Sequence, residues 1–316
     1  MLIDMGEFWY KVDKTLRYNG RRSAITLRGV RWDIHPLRAR QPVFVVGCSR
    51  AGTTLVYKTL SSSPELGTLQ RETHDFWAEL HPLKEKNWET HALAARDASD
   101  SDRDYVTRYF YAWTGNRRFV DKNNQNGLCV PYLYRLFPDA HFIYVKRSPG
   151  DNLNSLIEGW GKPEEFATWS GDLPARIAID GGRYKSWCFF LADGWRQFTS
   201  ASIEEVCAFQ YGAINAAILD ARKLVPKKQW TEVFYEDLVR DPVGGFETLF
   251  QQCDLGFDVE LRHRAEEVLN IPYNAFSEIR VDKWKSGRHC EKIARILPKL
   301  REIAASMGYE ERLSAA

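Results

Sequence analysis

The sequence predicts an α/β fold in which a parallel β-sheet is flanked by helices on both faces. Four short runs of β-branched and aromatic residues are bounded by turn-forming residues, as buried strands are. Segments with helical periodicity separate these runs, and such alternation is typical of a parallel sheet that is buried on both faces. The predicted strands are Val43–Val46, Arg118–Asp121, His141–Val145 and Trp230–Phe234.

Three other segments repeat apolar residues at the spacing of a helix that buries one face. They are Ser202–Leu224, Pro242–Cys253 and Glu291–Met307, and Gly308 marks the expected end of the last one. We interpret each apolar stripe as part of the hydrophobic core.

The chain has 316 residues without an internal repeat or a low-complexity linker, so we expect one domain over residues 1–316. Residues 1–41 form a basic N-terminal arm that we expect to pack on the domain, with a membrane-surface element as the alternative. Residues 42–157 form the main ligand-binding core, and the irregular segment 158–200 is predicted to be a binding loop or lid. Residues 201–316 complete the fold with helices and carry one more loop at the ligand site.

The composition excludes several classes of function. Lys and Arg number 44 and Asp and Glu 42, so the net charge of +2 provides no general field for nucleic acid. The six cysteines are scattered without a CxxC pair, which favours reduced thiols in the cytoplasm over a disulfide framework or a zinc site. No apolar run reaches the roughly 20 residues of a membrane span, and the N-terminus lacks a signal-peptide pattern. We therefore expect a soluble cytoplasmic protein with no transmembrane segment, no nucleic-acid partner and no metal.

A glycine-rich loop after the first predicted strand has the composition of a phosphate-binding loop. Gly47 and Gly52 are separated by four residues, and Thr53 and Thr54 follow. Glycines let the backbone direct successive N–H groups at an anion, and a helix beginning near Gly52 adds the positive end of its dipole. The residues predicted to bind the anion are Ser49, Arg50, Ala51, Gly52, Thr53 and Thr54.

One position in this loop argues against a nucleoside triphosphate. Loops that bind ATP or GTP carry a lysine directly before the hydroxyl residue. Here Thr53 occupies that position, and the positive charge is Arg50, inside the loop. A triphosphate with magnesium would lose its main cationic contact, so the loop favours a nucleotide with a shorter 5′ group.

A second anion site is predicted where the strand His141–Val145 ends. Arg147 follows that strand, at the sheet edge where ligands of open α/β folds usually bind. Ser155 lies eight residues later, about two turns along a helix expected to begin at Pro149. An arginine and a serine placed in this way can hold one phosphate from two sides.

Together the two sites resemble those of the sulfotransferases that use 3′-phosphoadenosine 5′-phosphosulfate (PAPS). In that family the first loop holds the 5′-phosphosulfate and an R-x7-S pair holds the 3′-phosphate; here Pro42–Leu55 and Arg147 with Ser155 match. Arg50–Leu55 is most similar to bacterial and tyrosylprotein sulfotransferases, and Arg135–Ile143 resembles the family's approach to the second site. The resemblance implies PAPS as co-substrate, adenosine 3′,5′-bisphosphate as product, and no metal.

The resemblance also indicates which residues act in catalysis. In the tyrosylprotein branch a glutamate in a Glu-Thr pair is the base, and Glu72 with Thr73 matches it after a one-residue shift. The cytosolic branch uses a histidine at a comparable place, so His74 is the alternative base. Lys122 resembles the lysine that neutralises the leaving phosphate, and Arg50 is placed to share that role.

Two further residues are expected near the nucleotide. Tyr235 begins a Tyr-Glu-Asp-Leu segment similar to one in the family, where it either contacts the nucleotide or packs. Lys283 lies before the last helix, where the family often closes a basic loop over the bisphosphate.

The resemblance implies sulfuryl transfer from PAPS to a hydroxyl or amine of a small molecule, a glycan or a lipid. The alternatives are a P-loop kinase-like phosphotransferase and a non-catalytic nucleotide-binding module. Aromatic residues of the segment 158–200 either stack on the acceptor or belong to the core. They are Trp160, Phe166, Trp169, Trp187, Phe189, Phe190 and Trp195.

Overall fold

A parallel sheet lies at the centre of the chain. The computed structural model describes residues 5–270 and 279–309, with side chains from residue 19 onward. Within these ranges β1 pairs in parallel with β2 and β3, and β3 with β4, giving the order β2-β1-β3-β4. The predicted α/β fold with a parallel sheet covered by helices is confirmed. The strands are β1 Val43–Gly47, β2 Val120–Lys122, β3 His141–Lys146 and β4 Trp230–Phe234.

The second strand begins and ends later than the predicted Arg118–Asp121. Val43 pairs with Val120, so the β1–β2 ladder begins at that register. Phe119, just before the strand, forms an isolated parallel bridge with Gly67 instead. Lys122 is the last residue of the strand, and the strand itself positions its side chain.

Helices connect the strands and cover both faces of the sheet. In the described ranges they are α1 Met5–Ile34, α2 Thr53–Leu60, α3 His74–Leu80, α4 Asp100–Thr114, α5 Val130–Leu136, α6 Pro149–Trp160, α7 Pro163–Phe166, α8 Ile179–Gly182, α9 Ile203–Ala221, α10 Tyr235–Arg240, α11 Pro242–Gln252, α12 Val259–Glu267, α13 Cys290–Ile296 and α14 Arg301–Ser306. The predicted helices Ser202–Leu224 and Pro242–Cys253 correspond to α9 and α11.

The predicted helix Glu291–Met307 is instead two helices, α13 and α14, separated by a 3-10 turn at Leu297–Leu300. Pro298 lies in that turn, and proline both lacks an N–H and crowds the preceding turn of a helix. The apolar stripe nevertheless faces the core as predicted. Its buried members include Ile293, Ile296, Leu300 and Ala304.

The two faces of the sheet bury alternate strand residues in two separate clusters. Phe44 and Tyr144 pack with α4, α5, α6 and α9 on one face, whereas Val45 and Val145 pack with α2, α10, α11 and α12 on the other. Alternation with period two is what a strand buried on both faces requires. This arrangement directs the carboxyl ends of all four strands toward one edge, where the anion loops lie.

The N-terminal arm is mainly the long helix α1, which packs against α4. The guanidinium of Arg108 donates two hydrogen bonds to the Asp33 carboxylate, at 2.7 and 2.8 Å, and Trp32 is buried. The apolar residues Leu27 and Ile34 stay exposed on the helix. None of the helices in the described ranges combines the length and the apolar character required to cross a bilayer.

Candidate active site

The glycine-rich loop joins the end of β1 to the start of α2, as predicted. Gly52 caps α2 in the left-handed region, with φ 99°, and the preceding Arg50 also has a positive φ of 67°. A side chain at Gly52 would bring its Cβ to 2.3 Å from Cδ2 of Tyr235. Both the backbone conformation and the contact with the tyrosine ring therefore require glycine.

Most of the predicted loop residues line one cavity of ≈650 Å³. Ser49, Arg50, Gly52, Thr53 and Thr54 form its floor at the N-terminus of α2. The side chain of Ala51 packs in the hydrophobic core instead, so only its backbone remains available for an anion.

The second predicted site opens onto the same cavity. Arg147 follows β3, donates from Nη1 to the backbone oxygen of Arg50 at 2.8 Å, and lies with its Cζ 4.4 Å from the ring centroid of Tyr235. Ser155, on α6, accepts a hydrogen bond from Nε of Arg50 at 3.3 Å. Arg50 thus connects the two sites, and burial together with the nearby Arg147 charge lowers the pKa of Arg50 to about 10.

Two buried donors in these sites have no hydrogen-bond partner among the described residues. They are Oγ of Ser49 and Nε of Arg147, and both residues line the cavity. Buried polar groups are normally paired, so unpaired donors beside a phosphate-type loop fit an anionic ligand.

Lys122, Glu72 and His74 form a hydrogen-bonded cluster beside the loop. The Lys122 ammonium donates to Oε1 of Glu72 and to the Thr54 hydroxyl, the latter at 3.2 Å. Oε2 of Glu72 lies 2.6 Å from Nε2 of His74, and the Thr54 hydroxyl donates to Oε1 of Glu72 at 3.2 Å. The lysine side chain is only 6% exposed, whereas that of Glu72 is 26% exposed and faces the cavity.

Electrostatics keep Glu72 ionised. Burial disfavours its charge, but the Lys122 ammonium and the hydrogen bond with His74 outweigh burial and hold the pKa of Glu72 well below its usual range. Glu72 is therefore an anion that can accept a proton, and the same ion pair makes it a weak base as long as Lys122 stays bound to it.

Asp121 supports this cluster, and the sequence analysis did not identify it. Its buried carboxylate accepts hydrogen bonds from the Thr73 hydroxyl, from Nε1 of Trp77 and from Nδ2 of Asn126. Burial raises the pKa of Asp121, and these hydrogen bonds oppose the shift. They tie the start of α3, which carries His74, to the strand that carries Lys122.

Replacement of Asp121 by Ala is expected to lower the free energy of unfolding by about 3 kcal/mol, because buried donors lose their acceptor. Urea unfolding followed by circular dichroism measures the change. Asp75→Ala, in the first turn of α3 and with a side chain that is 87% exposed, is the control and should stay within about 0.5 kcal/mol of the parent. Equal stability of the two variants would show that the Asp121 carboxylate does not stabilise the contact between the start of α3 and β2.

Lys283 and Tyr235 also line the cavity. Lys283 begins a short turn that is pinned to α6, because the Asp151 carboxylate accepts backbone N–H bonds from Asp282 at 2.7 Å and Trp284 at 3.1 Å. Tyr235 is largely buried between Gly52 and Arg147. Its ring packs in the wall, and packing was one of the two roles left open for it.

The aromatic residues of the segment 158–200 divide into two groups. Trp160, Trp187, Phe190 and Trp195 are buried in the core. Phe166, Trp169 and Phe189 line the cavity, and Cζ of Arg50 lies 5.4 Å from the ring centroid of Phe166. Trp88 and His91 join them from the segment after α3, which the sequence analysis did not single out because no motif marks it.

Comparison with known proteins identifies the family of the chain. The profile of the sulfotransferase family matches residues 42–180 and 174–259, more than half of the chain. A search of curated proteins finds no match.

Solved structures with similar folds include sulfotransferase STF9 from Mycobacterium avium, with a TM-score of 0.51, 15% identity, and coverage of 89% of this chain and 81% of that one. Sulfotransferase STF1 from Mycobacterium tuberculosis H37Rv has a TM-score of 0.46 and 18% identity, covering 78% of this chain and 75% of its own. The finer resemblance to the tyrosylprotein branch stays a prediction. On the match of the family profile, the chain belongs to the sulfotransferase family, whose members transfer sulfuryl groups.

Proposed function

We propose that this enzyme transfers the sulfuryl group of PAPS to a hydroxyl or amine of an acceptor. The observation that carries the proposal is the convergence of both anion sites and the Lys122–Glu72–His74 cluster on one cavity of ≈650 Å³. A donor with a 5′-phosphosulfate and a 3′-phosphate needs two anion sites, and an acceptor needs a proton-accepting group beside the first of them.

The residues present fit such a donor. The loop from Ser49 to Thr54 would hold the 5′-phosphosulfate through its N–H groups, its hydroxyls and the N-terminus of α2. Arg147 and Ser155 would hold the 3′-phosphate, with Lys283 at the mouth of the site. When bound, PAPS supplies a sulfuryl group that is activated by its bond to phosphate.

The chain's own groups then have separate tasks. Lys122 and Arg50 stabilise the negative charge that develops at the leaving oxygen. Glu72 accepts the acceptor's proton, and His74, hydrogen-bonded to it, is the alternative base. Because Lys122 contacts both Thr54 and Glu72, engaging the donor weakens its hold on Glu72 and makes that carboxylate a stronger base.

The acceptor class, the cellular location and the kinase alternative were also addressed by the sequence. The acceptor is proposed to be a small molecule, a glycan or a lipid that occupies the aromatic part of the cavity. All six cysteines are free thiols, which supports the proposed cytoplasmic location. The family assignment and Thr53 at the lysine position of ATP-binding loops leave no observation that favours a kinase.

Calorimetric titration with adenosine 3′,5′-bisphosphate, compared with ATP plus magnesium, tests the donor site. We expect tight binding of the bisphosphate and weak binding of ATP. Arg147→Lys should weaken bisphosphate binding by about 10- to 100-fold, because lysine cannot reproduce a forked contact with phosphate.

The matched control is Arg135→Lys, a substitution in α5 away from the residues that line the cavity. Its affinity for the bisphosphate should equal that of the parent. If the bisphosphate does not bind, or if ATP binds more tightly, the proposed donor is wrong. If it binds while no acceptor screen with PAPS yields a product, the non-catalytic module is favoured.

A further inference from the structure

The helix α1 leaves a row of apolar side chains unburied on its outer side. Leu27, Val30 and Ile34 are 69%, 49% and 65% exposed, and their spacing of three and four residues places them on one side of the helix. Single exposed apolar residues are ordinary, but three that are aligned on consecutive turns form a continuous surface. We refer to these three residues as the apolar stripe.

Contacts on the opposite side of α1 fix the direction of the apolar stripe. Trp32 is buried. The Arg28 guanidinium donates to the backbone oxygen of Ala112 at 3.4 Å, and the Asp33 carboxylate accepts from Arg108 at 2.7 Å. Because α4 occupies this inner side, the apolar stripe can be covered only by something outside the domain.

The amino-acid sequence of α1 repeats the same spacing toward the N-terminus. Met5, Trp9, Val12 and Leu16 follow one another at intervals of four, three and four residues, and Leu16 precedes Leu27 by eleven residues, about three helical turns. Tryptophan, leucine and other apolar residues at this spacing in a basic segment are typical of helices that lie in a membrane interface.

The arm that contains α1 also carries the positive charge of the chain. Residues 1–41 contain nine Lys and Arg against four Asp and Glu, a net charge of +5, whereas the whole chain carries only +2. The remainder of the chain is therefore net negative. This uneven distribution favours an anionic partner for the arm in particular.

Four exposed arginines lie along the apolar stripe or close to its end. Arg31 is one helical turn after Leu27, and Arg38 and Arg40 follow the end of the helix. Arg117 joins them, because its Nε donates to the backbone oxygen of Arg38 at 2.9 Å. Within the described part of the chain, these four arginines form no ion pair. Their long side chains can keep the charge at a polar surface while the stem covers apolar groups.

Charge complementarity distinguishes an anionic lipid surface from a second copy of this chain. In a two-fold symmetric contact through the apolar stripe, the same face of both copies would meet, which brings their arginines together. An anionic bilayer instead takes up apolar side chains at the boundary between headgroups and acyl chains, and its negative surface attracts the arginines.

We propose that α1 docks the protein on an anionic lipid surface. The helix lies in the plane of the membrane, with the apolar stripe among the lipids and the arginines at the headgroups. α4 packs between α1 and α3, where Tyr109 stacks on Phe76 with 4.3 Å between ring centroids. Two helix-packing distances put the axis of α3, which borders the active-site cavity, within about 20 Å of that of α1. The docked enzyme therefore acts close to the membrane surface.

Cosedimentation of the full chain with vesicles tests the proposal. Vesicles of phosphatidylcholine alone are compared with vesicles that contain about 30% phosphatidylserine, at about 0.1 M and about 0.5 M salt. The partition coefficient should be at least about 10-fold larger with phosphatidylserine at the lower salt concentration. It should fall at the higher concentration, because salt screens the attraction between the arginines and the lipids.

A double variant tests the apolar stripe. Leu27→Ser, Ile34→Ser should lower partitioning into the phosphatidylserine vesicles by about 10-fold or more, because the side chains that enter the lipid are lost. The matched control is Leu224→Ser, Val259→Ser, which replaces two apolar residues that are 56% and 84% exposed outside the arm. The control should partition as the parent does.

A second pair of variants tests the charge. Arg31→Gln, Arg38→Gln should lower partitioning by about fivefold for each arginine removed. Lys227→Gln, Lys228→Gln removes the same charge from the exposed turn before β4 and should leave partitioning unchanged. Circular dichroism and the affinity for adenosine 3′,5′-bisphosphate verify that every variant folds.

Each contrary outcome overturns the proposal. Partitioning that is absent, or equal for the two kinds of vesicle, excludes an anionic lipid surface. Equal partitioning of the Leu27→Ser, Ile34→Ser variant and its control excludes the apolar stripe. Gel filtration with light scattering, without lipid, detects the other occupant: a dimer that this variant converts to a monomer would assign the face to a second copy. None of these results depends on sulfuryl transfer, so the proposed function is tested separately.

Discussion

Replacing Lys122 with Met is expected to lower kcat by roughly 100- to 1000-fold, because the transition state loses a buried positive charge beside the leaving oxygen. The affinity for adenosine 3′,5′-bisphosphate should change by less than about threefold, since the loop and Arg147 supply most of the contacts with that product. Single-turnover kinetics with saturating PAPS give the rate of the chemical step, and calorimetry gives the affinity.

Lys146→Met is the informative control for this substitution. Lys146 is the buried lysine at the end of β3, where it contacts Glu232 at 2.8 Å and the backbone oxygen of Met307 at 2.9 Å, outside the cavity lining. Its replacement should lower stability and leave kcat per folded molecule close to that of the parent. A Lys122→Met variant that keeps the parent's rate would remove Lys122 from the catalytic residues.

Glu72→Gln is expected to lower kcat by roughly 100- to 10,000-fold, the range for loss of a general base, whereas His74→Gln should lower it less than about 10-fold. The reason is geometric and electrostatic: Glu72 lies between Lys122 and His74 and carries the negative charge of the cluster. Steady-state kinetics with the acceptor found by screening measure both values.

The pH profile of kcat/KM distinguishes the two bases independently. The pKa of Glu72 is depressed, so its ionised form persists as the pH falls and is lost only far below neutrality. With Glu72 as base, kcat/KM should therefore stay flat from about pH 8 to about pH 5.5. A decline within that range that disappears in His74→Gln would instead assign the role to His74.

The sequence predicted the donor half of the site because its chemistry is local. The glycine-rich loop takes its conformation from consecutive residues, above all the left-handed Gly52, and Ser155 follows Arg147 by two turns of one helix. Once the strands are parallel, their carboxyl ends share one edge, which brings both sites together. Arg50 connects the two sites because its Nε donates a hydrogen bond to the Ser155 hydroxyl. This contact is formed only in the folded chain.

The limits of the sequence analysis lie in contacts between distant segments. Glu72 and His74 were found by resemblance, but nothing in the local pattern indicated that Lys122, fifty residues away, pairs with Glu72 across the β1–β2 crossover. The supporting role of Asp121 was not predicted for the same reason. A buried carboxylate of this kind is identified by the donors that surround it in the folded chain, such as Nε1 of Trp77.

Helix boundaries and the role of each aromatic residue depended on packing as well. Pro298 lies in the 3-10 turn that divides the last predicted helix. The apolar periodicity did not predict this break, because the residues on both sides of it still face the core. Trp160 and Trp169 belong to the same irregular segment, yet one is buried in the core and the other lines the cavity.

By itself, the sequence determined the fold class and the family and predicted the two anion loops, because strand periodicity and phosphate-binding backbone geometry are properties of short contiguous segments. The tertiary structure alone decided the charge state of Glu72, the hydrogen bonds of Asp121 and which aromatic residues line the cavity. Those features depend on which distant side chains meet, and that is set by how the crossover helices pack on the two faces of the sheet.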